Sequence, residues 1–431
     1  MQGGARVDPD ASPLHVLYLL TTFPVLSETF VQREIRILRG LPVNLKLYSL
    51  WGGGTRFESI PINRFPKWKL ITLIWWLPYW LCKRRGVFVR LCRDLREKKL
   101  PSPADLGTTF IGIGFALCTA RRFSRFPHRP DIIHAAWATM PATAAQVLSK
   151  LVGIPFTFQA NAYDLFRNGG DWLLPGKLRD TALVITSTEY AKSALLASGL
   201  PASRVVVARR GLDVMPQQKS MRPDRTPLRI LSVGRLVEKK GYLEQLEILA
   251  YLKSRGFRFE ARIAGGGPME KAIRQRLTGL GLTGLVGLTG PLPYESVAGC
   301  FHWADVFLFT GKVASNGDRD GFPNVLGEAM AFGVPVLSTP VSGVPEAIDD
   351  GDSGFLLDPA DHGRWHDTLA RLQKDDEIYL RASRGGRAWA CANFDAGKNT
   401  GRIYGAFRAV AGRSLALPAT DKAAVRSGGS V

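Results

Sequence analysis

Residues 14–50, LHVLYLLTTFPVLSETFVQREIRILRGLPVNLKLYSL, contain one complete strand, helix and strand unit. The apolar run at 14–20 predicts a buried strand, and Ser27 stands where the N-cap of a helix over 29–39 is expected. Residues 43–50 predict the next strand. Two strands joined by a crossover helix are the building unit of a parallel sheet with a helix on one face.

The alternation of strands and helices recurs along most of the chain. In the first half a helix is predicted over 142–152, and further strands are predicted over 131–134, 154–159 and 182–187. A second series follows a polar, proline-bearing stretch, and its predicted strands lie over 228–233, 258–264, 305–309 and 334–338. This repetition predicts an α/β protein with two Rossmann-like, doubly wound domains that face each other across a cleft.

Length and composition fit two globular domains. With 431 residues, 45 % hydrophobic and 22 % charged, the chain is long enough to form two packed cores. The five cysteines are widely spaced, which predicts free thiols in a reducing compartment. We expect a first domain over 14–213, a linker over 214–226, a second domain over 227–393, a helix crossing back to the first domain over 394–411, and a disordered tail over 412–431.

The strongest local concentration of charge lies in residues 64–100. Eleven Lys or Arg residues are offset by two acids in this segment, and the net charge of the whole chain is +20. The apolar run 70–82 within the segment is interrupted by Pro78 and is too short for a bilayer core, which needs about 20 residues. Its aromatic residues and flanking cations suit the headgroup layer of an anionic membrane. The alternative is a helix packed into the first domain with a solvated basic face.

Residues 1–13 are polar and contain no apolar signal-peptide region, so the catalytic body is expected in the cytoplasm. With the basic, aromatic segment, this predicts peripheral attachment to the inner face of the cell membrane through Trp75, Trp76, Tyr79 and Trp80. Positive charge would also suit nucleic acid, but the sequence has no recognition-helix or single-strand-binding motif. We therefore expect no nucleic acid among the partners.

Two loops of the second domain carry residues that suit a diphosphate and a nucleotide base. In SVGRLVEKKG, residues 232–241, two cations lie five positions apart directly after a predicted strand. Arg235 can bind a diphosphate through paired hydrogen bonds, and Lys240 can bind it through its point charge. The alternative is an ordinary solvated loop. The next strand is followed by residues that let a backbone or a flat base approach closely, namely Gly265, Gly266 and Gly267.

The most specific motif is residues 320–331, DGFPNVLGEAMA, in which Asp320 and Glu328 are separated by seven residues. Carboxylates accept hydrogen bonds from sugar hydroxyls, so Glu328 suits a ribose diol and Asp320 a transferred sugar. Pro323 marks the first turn of a predicted helix, whose N-terminus favours a phosphate. The remaining donor-binding residues predicted at this helix N-terminus are Gly321, Phe322, Asn324 and Val325.

These motifs resemble glycosyltransferase family 4, whose members are retaining enzymes of the GT-B fold. The cation pair, the glycine turn and the two acids occur in the family's order and spacing, and residues 21–35 and 137–145 resemble a subgroup of exopolysaccharide and colanic-acid synthesis. The resemblance implies a nucleotide-diphosphate-sugar donor, no cofactor, no metal ion, and retention of the anomeric configuration.

The same resemblance implies roles for individual residues. Arg235 and Lys240 would bind the donor diphosphate, Glu328 the ribose, and Asp320 the transferred sugar in a catalytic role. The first domain would bind the acceptor, and the residues that we assign to the acceptor side are Thr22, Ser27 and His134.

The sequence departs from the subgroup at three positions. Ala136 and Asn161 stand where related chains have histidine, and Asp320 stands where glutamate is common. Asn161 directly follows a predicted strand, so we expect it to face the transferred sugar across the cleft as a second catalytic residue. An amide exchanges hydrogen bonds with sugar hydroxyls but carries no proton at neutral pH, as histidine does. We therefore expect an active enzyme with an altered sugar preference.

The leading hypothesis is a hexosyltransferase that moves a sugar from a UDP- or GDP-linked donor to a growing, lipid-linked or oligosaccharide acceptor. A sugar-nucleotide epimerase on the same fold is one alternative, and it would act without an acceptor. A non-catalytic sugar-nucleotide-binding subunit that recruits partners to the membrane is the other. Release of nucleoside diphosphate in the presence of an acceptor separates the first hypothesis from both.

Overall fold

The computed structural model describes residues 12–25, 28–98, 102–125 and 127–415, and its first sheet has eight strands. In chain order these are β1 (Leu14–Leu20), β2 (Val43–Ser49), β3 (Arg56–Phe57), β4 (Ile60–Arg64), β5 (Ile132–Ala135), β6 (Phe156–Gln159), β7 (Leu183–Thr186) and β8 (Val205–Val207). They are arranged in the order β3-β4-β2-β1-β5-β6-β7-β8. All neighbours are parallel except β3 and β4, which form a short antiparallel edge.

Seven α-helices accompany this sheet in the described part of the chain. They are α1 (Thr29–Arg39), α2 (Leu73–Asp94), α3 (Pro103–Phe123), α4 (Met140–Val152), α5 (Ala162–Phe166), α6 (Leu174–Asp180) and α7 (Glu189–Ala197). The apolar side chains of β1, β5 and β7 are divided between two buried clusters, one on each face of the sheet. Helices therefore cover both faces, as a doubly wound parallel sheet requires.

The second sheet is parallel throughout. Its strands are β9 (Leu228–Val233), β10 (Phe259–Ala264), β11 (Val286–Gly290), β12 (Val306–Phe309), β13 (Val336–Ser338) and β14 (Phe355–Leu356), in the order β11-β10-β9-β12-β13-β14. Its helices are α8 (Tyr242–Ser254), α9 (Glu270–Gly279), α10 (Tyr294–Trp303), α11 (Asn324–Ala331), α12 (His362–Lys374) and α13 (Asp376–Asn393). The prediction of an α/β protein with two doubly wound sheets is confirmed.

The last helix, α14 (Ala396–Leu415), returns to the first domain. Phe394, just before it, lies in an apolar cluster of the second domain, whereas Phe407 lies in a cluster with the strands of the first. The crossing is tight, because a Cβ on Gly211 would lie 2.5 Å from the Ala396 nitrogen. The helix runs to Leu415, so the predicted disorder of 412–431 is wrong at its start, and residues 416–431 lie outside the described residues.

Helices α2 and α3 form an insertion between β4 and β5. By length and composition α3 could cross a membrane, but Phe115, Ala116 and Ala120 are fully buried in the first domain. On α2, Trp80 is 3 % exposed and its indole Nε1 donates to the carbonyl of Leu117 at 3.0 Å. The prediction that Trp80 belongs to the membrane-facing surface is therefore wrong. The buried side of α2 agrees with the alternative prediction, a helix packed into the first domain.

Candidate active site

Loops that leave the carboxyl ends of strands in the two sheets touch each other. Asn168, after β6, donates its backbone N–H to the carbonyl of Asn316, after β12, at 2.8 Å. A Cβ on Gly321 would lie 3.5 Å from the Cβ of Ala162. Ligands of open α/β sheets bind at these strand ends. The candidate site is therefore the cleft where the two sets of loops meet.

Lys240 and Asp320, predicted to bind different parts of the donor, form an ion pair with each other. The Lys240 Nζ lies 2.6 Å from an Asp320 carboxylate oxygen, and Lys239 Nζ lies 3.5 Å from the other. Burial raises the pKa of Asp320, but Lys240 and Lys239 outweigh burial, so that the net pKa is lowered. Asp320 is therefore a stable carboxylate, which can accept hydrogen bonds from a sugar and cannot act as an acid near neutral pH.

The glycine turn after β10 packs closely against the loop that follows β9. Gly265 has φ +149°, and a Cβ there would lie 1.9 Å from the carbonyl oxygen of Gly234. A Cβ on Gly267 would lie 2.5 Å from the carbonyl oxygen of Leu236. The contact between the two loops by itself requires glycine at both positions. The turn thereby fixes the loop that ends in Lys240, and Arg235 stays exposed on it.

The N-terminus of α11 presents backbone to the cleft and side chains to the core. The Phe322 ring packs against Trp389, with 5.2 Å between centroids, and Val325 packs in the apolar cluster of the second domain. Only the backbone of Phe322 and Val325 is therefore placed to serve a ligand. The Asn324 Oδ1 is buried, and within the described residues it has no hydrogen-bond partner. Such an oxygen is available to a donor group of a ligand.

Glu328, on the second turn of α11, reaches towards the first domain. Its side chain is 7 % exposed, and burial raises its pKa while Arg33 of α1 opposes that shift. Arg33 in turn donates to the carbonyl of Gly211 at 3.1 Å. The predicted ribose-binding carboxylate thus lies at the junction of both domains and the crossing between them.

Asn161 lies directly after β6, at the start of α5. Its backbone N–H donates to Asp164 Oδ2 at 2.9 Å, and its Nδ2 has no hydrogen-bond partner in the described part of the chain. Burial raises the pKa of Asp164 to about 7, against the opposing hydrogen bond from the Asn161 N–H. The sequence analysis did not identify Asp164, although an acid three residues after a helix start is a local signal for capping.

The acceptor-side predictions have mixed outcomes. His134 is fully buried in β5, where its Nδ1 lies 2.8 Å from Thr157 Oγ1 and its ring contacts Tyr18 and Phe407 at 4.8 Å each. Burial also lowers its pKa to about 3. The predicted acceptor role of His134 is wrong, because its side chain packs beneath α14 and does not reach the cleft. Thr22 is partly buried after β1, and Ser27 lies outside the described residues.

Arg210, which the sequence analysis did not identify, lies between the domains after β8. Its guanidinium carbon is 3.4 Å from the centroid of the Phe30 ring. Burial lowers its pKa to about 10, against the opposing effect of nearby acids that include Asp320 of the second domain. Burial likewise raises the pKa of Glu28, against opposing effects of Arg210 and of Arg235 across the cleft. The two domains therefore present complementary charges to each other.

Glu346 fastens the loop after β13 to the first domain. Its carboxylate accepts the backbone N–H groups of Glu189 and Tyr190 at 3.0 and 2.7 Å, at the N-terminus of α7. It also forms an ion pair of 3.0 Å with Arg209. A carboxylate at a helix N-terminus is stabilised by the helix dipole as well as by these bonds. This contact joins the second domain to the first beside the cleft.

Comparison with known proteins gives the class of this site. Residues 216–389 match the family model described as glycosyl transferases group 1. The chain is 34 % identical over 405 residues to the putative colanic acid biosynthesis glycosyltransferase WcaL of Salmonella typhimurium, covering 86 % of this chain and 93 % of the relative. It is 28 % identical to the amylovoran biosynthesis glycosyltransferase AmsK of Erwinia amylovora over 84 % of this chain and 91 % of the relative.

The chain therefore belongs to the group 1 glycosyl transferases. It is a glycosyltransferase, and the predicted family resemblance is confirmed. The relatives do not favour the epimerase alternative.

Solved structures confirm the GT-B architecture. Anabaena HepE in complex with UDP superposes with a TM-score of 0.68 at 18 % identity, covering 92 % of this chain and all of that one. Sucrose-phosphate synthase of Thermosynechococcus elongatus gives a TM-score of 0.69 at 12 % identity, covering 93 % of this chain and all of that one.

Proposed function

We propose that this glycosyltransferase moves a sugar from a UDP- or GDP-linked donor to a growing, lipid-linked glycan with retention of the anomeric configuration. The observation that carries the proposal is the Lys240–Asp320 ion pair of 2.6 Å at the strand ends of the second domain. A cation and a buried carboxylate held side by side suit the two adjacent parts of a nucleotide sugar, the diphosphate and the hexose. HepE, of the same fold, has been crystallised with UDP and with UDP-glucose.

In the proposed donor complex, the diphosphate replaces Asp320 as the ion-pair partner of Lys240. The ammonium group turns from Asp320 to the phosphate oxygens, and the freed carboxylate accepts hydrogen bonds from the sugar hydroxyls. Arg235 adds a second cation from the same loop, and Glu328 accepts from the ribose diol. Lys239, which lies 3.5 Å from the Asp320 carboxylate, then remains as its counter-charge, which limits the cost of freeing a buried carboxylate.

Departure of the nucleoside diphosphate is the step that needs charge stabilisation. Arg235, Lys240 and the N-terminus of α11 are arranged to stabilise negative charge on the leaving phosphate. We propose that these groups supply that stabilisation without a metal ion. Retention then follows from attack of the acceptor hydroxyl on the face that the leaving phosphate vacates, with the phosphate oxygen taking the hydroxyl proton. Asn161 would hydrogen-bond the transferred sugar from the opposite side of the cleft.

The test of this function is release of nucleoside diphosphate from UDP- and GDP-hexoses with and without lipid extract as acceptor. We expect release that depends on the acceptor and a glycosylated product. A sugar isomerised without an acceptor would establish the epimerase alternative. Binding of nucleotide with no turnover in any combination would establish the non-catalytic subunit.

We propose in addition that the enzyme works at the cytoplasmic face of the cell membrane, attached through the insertion of α2. Exposed large apolar side chains concentrate in this region, where Trp75 and Ile71 are each 76 % exposed, Ile74 69 % and Trp68 64 %. Cations flank them in the chain, including Lys67, Lys69, Lys83, Arg84 and Arg85. We name these nine residues the α2 patch. An apolar surface rimmed by cations suits an anionic lipid surface.

Removing apolar side chains from the α2 patch should release the enzyme from vesicles. We expect Ile74→Ser with Trp75→Ser to reduce partitioning onto vesicles of phosphatidylglycerol and phosphatidylcholine by at least about 100-fold, since each of the two buried apolar side chains contributes about 1.5–3 kcal/mol. Raising the salt concentration should weaken binding of the native chain. Val214→Ser, which removes a side chain 80 % exposed outside the patch, is the control. Equal flotation with neutral and anionic vesicles, or none with either, would contradict attachment by charge.

A further inference from the structure

A pocket of the first domain opens at the carboxyl ends of β6, β7 and β8, next to α1. The pocket is small, with a cavity volume of about 30 Å³, and Arg33, Asn161, Thr186 and Arg210 line it together with Thr400 of α14. Neither Arg235 nor Lys240 lines it. The pocket is therefore on the acceptor side of the cleft, apart from the cations assigned to the donor.

Two buried polar groups in this pocket lack partners. Asn161 is 7 % exposed and Thr186 1 %. The Asn161 Nδ2 and the Thr186 Oγ1 make no hydrogen bond to any described residue. Buried polar groups in native proteins are hydrogen-bonded in the great majority of cases. Two unpartnered groups in one pocket point to a ligand that bonds to both.

Arg210 adds a cation whose polar edge is available. It lies over the Phe30 ring, and within the described residues its guanidinium forms neither an ion pair nor a hydrogen bond. Three of the four acids around it are engaged elsewhere. Glu34 accepts from Tyr18 at 2.6 Å and from Gln159 at 2.7 Å, Asp320 pairs with Lys240, and Asp164 accepts from the Asn161 N–H. Glu28 is the fourth acid, and the charge of Arg210 opposes the rise that burial causes in the pKa of Glu28.

We propose that Arg210, Thr186 and one of the two Nδ2 hydrogens of Asn161 bind the carboxylate end of the acceptor saccharide, so that the preferred acceptor is an acidic glycan, while the other Nδ2 hydrogen serves the transferred sugar. The inference rests on the proposed function. A guanidinium matches a planar carboxylate with two parallel hydrogen bonds, and the amide and hydroxyl beside it suit the neighbouring ring oxygens. The acids around Arg210 already offset part of its charge, which disfavours a dianion more strongly than a monoanionic carboxylate. All three residues belong to the first domain, which distinguishes this site from the diphosphate site.

The experiment compares acidic and neutral sugars as ligands of the whole chain. Methyl glycosides of glucuronic and galacturonic acid, and of glucose and galactose, are titrated by NMR in the presence of saturating UDP or GDP. We expect the native chain to bind at least one uronide about tenfold more tightly than its neutral counterpart, the scale of a charge-assisted hydrogen bond. Arg210→Gln should remove the preference, Arg210→Lys should retain part of it, and Arg274→Gln, on the exposed face of α9, should leave it unchanged.

The outcomes separate this inference from the proposed function. Equal binding of uronides and neutral sugars by the native chain, with nucleotide bound, would overturn the acidic-acceptor inference alone. A preference that survives in a folded Arg210→Gln variant, as judged by its melting temperature, would also overturn it. A tenfold loss of UDP or GDP affinity in that variant with the preference intact would assign Arg210 to the donor diphosphate instead. Failure of the native chain to bind either nucleotide would overturn the proposed function, and this inference with it.

Discussion

Asp320→Asn should lower sugar transfer by at least about 100-fold, the usual loss when one preorganised group at a reacting centre is removed. The amide keeps the shape of the side chain but loses the charge that now holds Lys240 at 2.6 Å. Because Lys240 is then free of its competitor, affinity for nucleoside diphosphate should stay the same or rise. Turnover and calorimetry on the same preparation measure the two effects separately.

Asp318→Asn is the matched control for this substitution. Asp318 pairs with Lys239 at 3.1 Å, and no ion pair of Asp318 with Lys240 occurs among the described residues. The Asp318→Asn variant should therefore retain most of the transfer activity. Normal turnover by Asp320→Asn, or a loss of nucleoside diphosphate affinity in that variant, would contradict the partner exchange that we propose for Lys240.

Asn161→Ala should reduce kcat by about 10- to 100-fold while nucleoside diphosphate binding stays nearly unchanged. The substitution removes the unpartnered Nδ2 but keeps the backbone N–H that donates to Asp164 at 2.9 Å. Because the Asn161 side chain is also half of the capping box of α5, the melting temperature of the variant is compared with that of the native chain. A hydrogen bond to a sugar that strengthens in the transition state contributes on the order of 1–3 kcal/mol, which gives this range.

A second pair of substitutions tests the non-catalytic alternative at the same position. If the native chain turns over no donor but Asn161→His with Ala136→His restores transfer, the chain is a sugar-nucleotide-binding subunit. If Asn161→Ala changes nucleotide affinity and leaves kcat intact, Asn161 does not face the transferred sugar.

The pattern of apolar residues along the chain predicted the strands well where one or both faces of a strand are buried. The bounds predicted for the strands at 14–20 and 228–233 are those observed, because each is an apolar run between turn residues. The insertion of α2 and α3 was harder. Pro78 lies inside α2, which is also non-helical at Arg84, so no single helical period separates the buried Trp80 from the exposed Trp75.

The candidate site was predictable only where its residues follow one another in the chain. The two acids of residues 320–331 belong to one compact motif, and the two cations of the loop after β9 belong to another. Arg210 and Glu346 belong to no such motif, because each of them acts through contacts with the opposite domain. Arg210 approaches Asp320 only once the cleft has formed, and Glu346 contacts α7 from more than 150 positions away in the chain. His134 was misassigned because its burial beneath α14 is a contact between distant segments.

Calorimetric titration of UDP and GDP tests the central claim, a donor site on the second domain, most directly. We predict that the native chain binds at least one of the two and that Arg235→Ala and Lys240→Ala each weaken that binding by about 1.5–3 kcal/mol, the scale of a hydrogen bond to a charged group. Lys271→Ala, an exposed lysine on α9, should leave the affinity unchanged. Unaltered affinity in both the Arg235 and Lys240 variants would contradict the assignment.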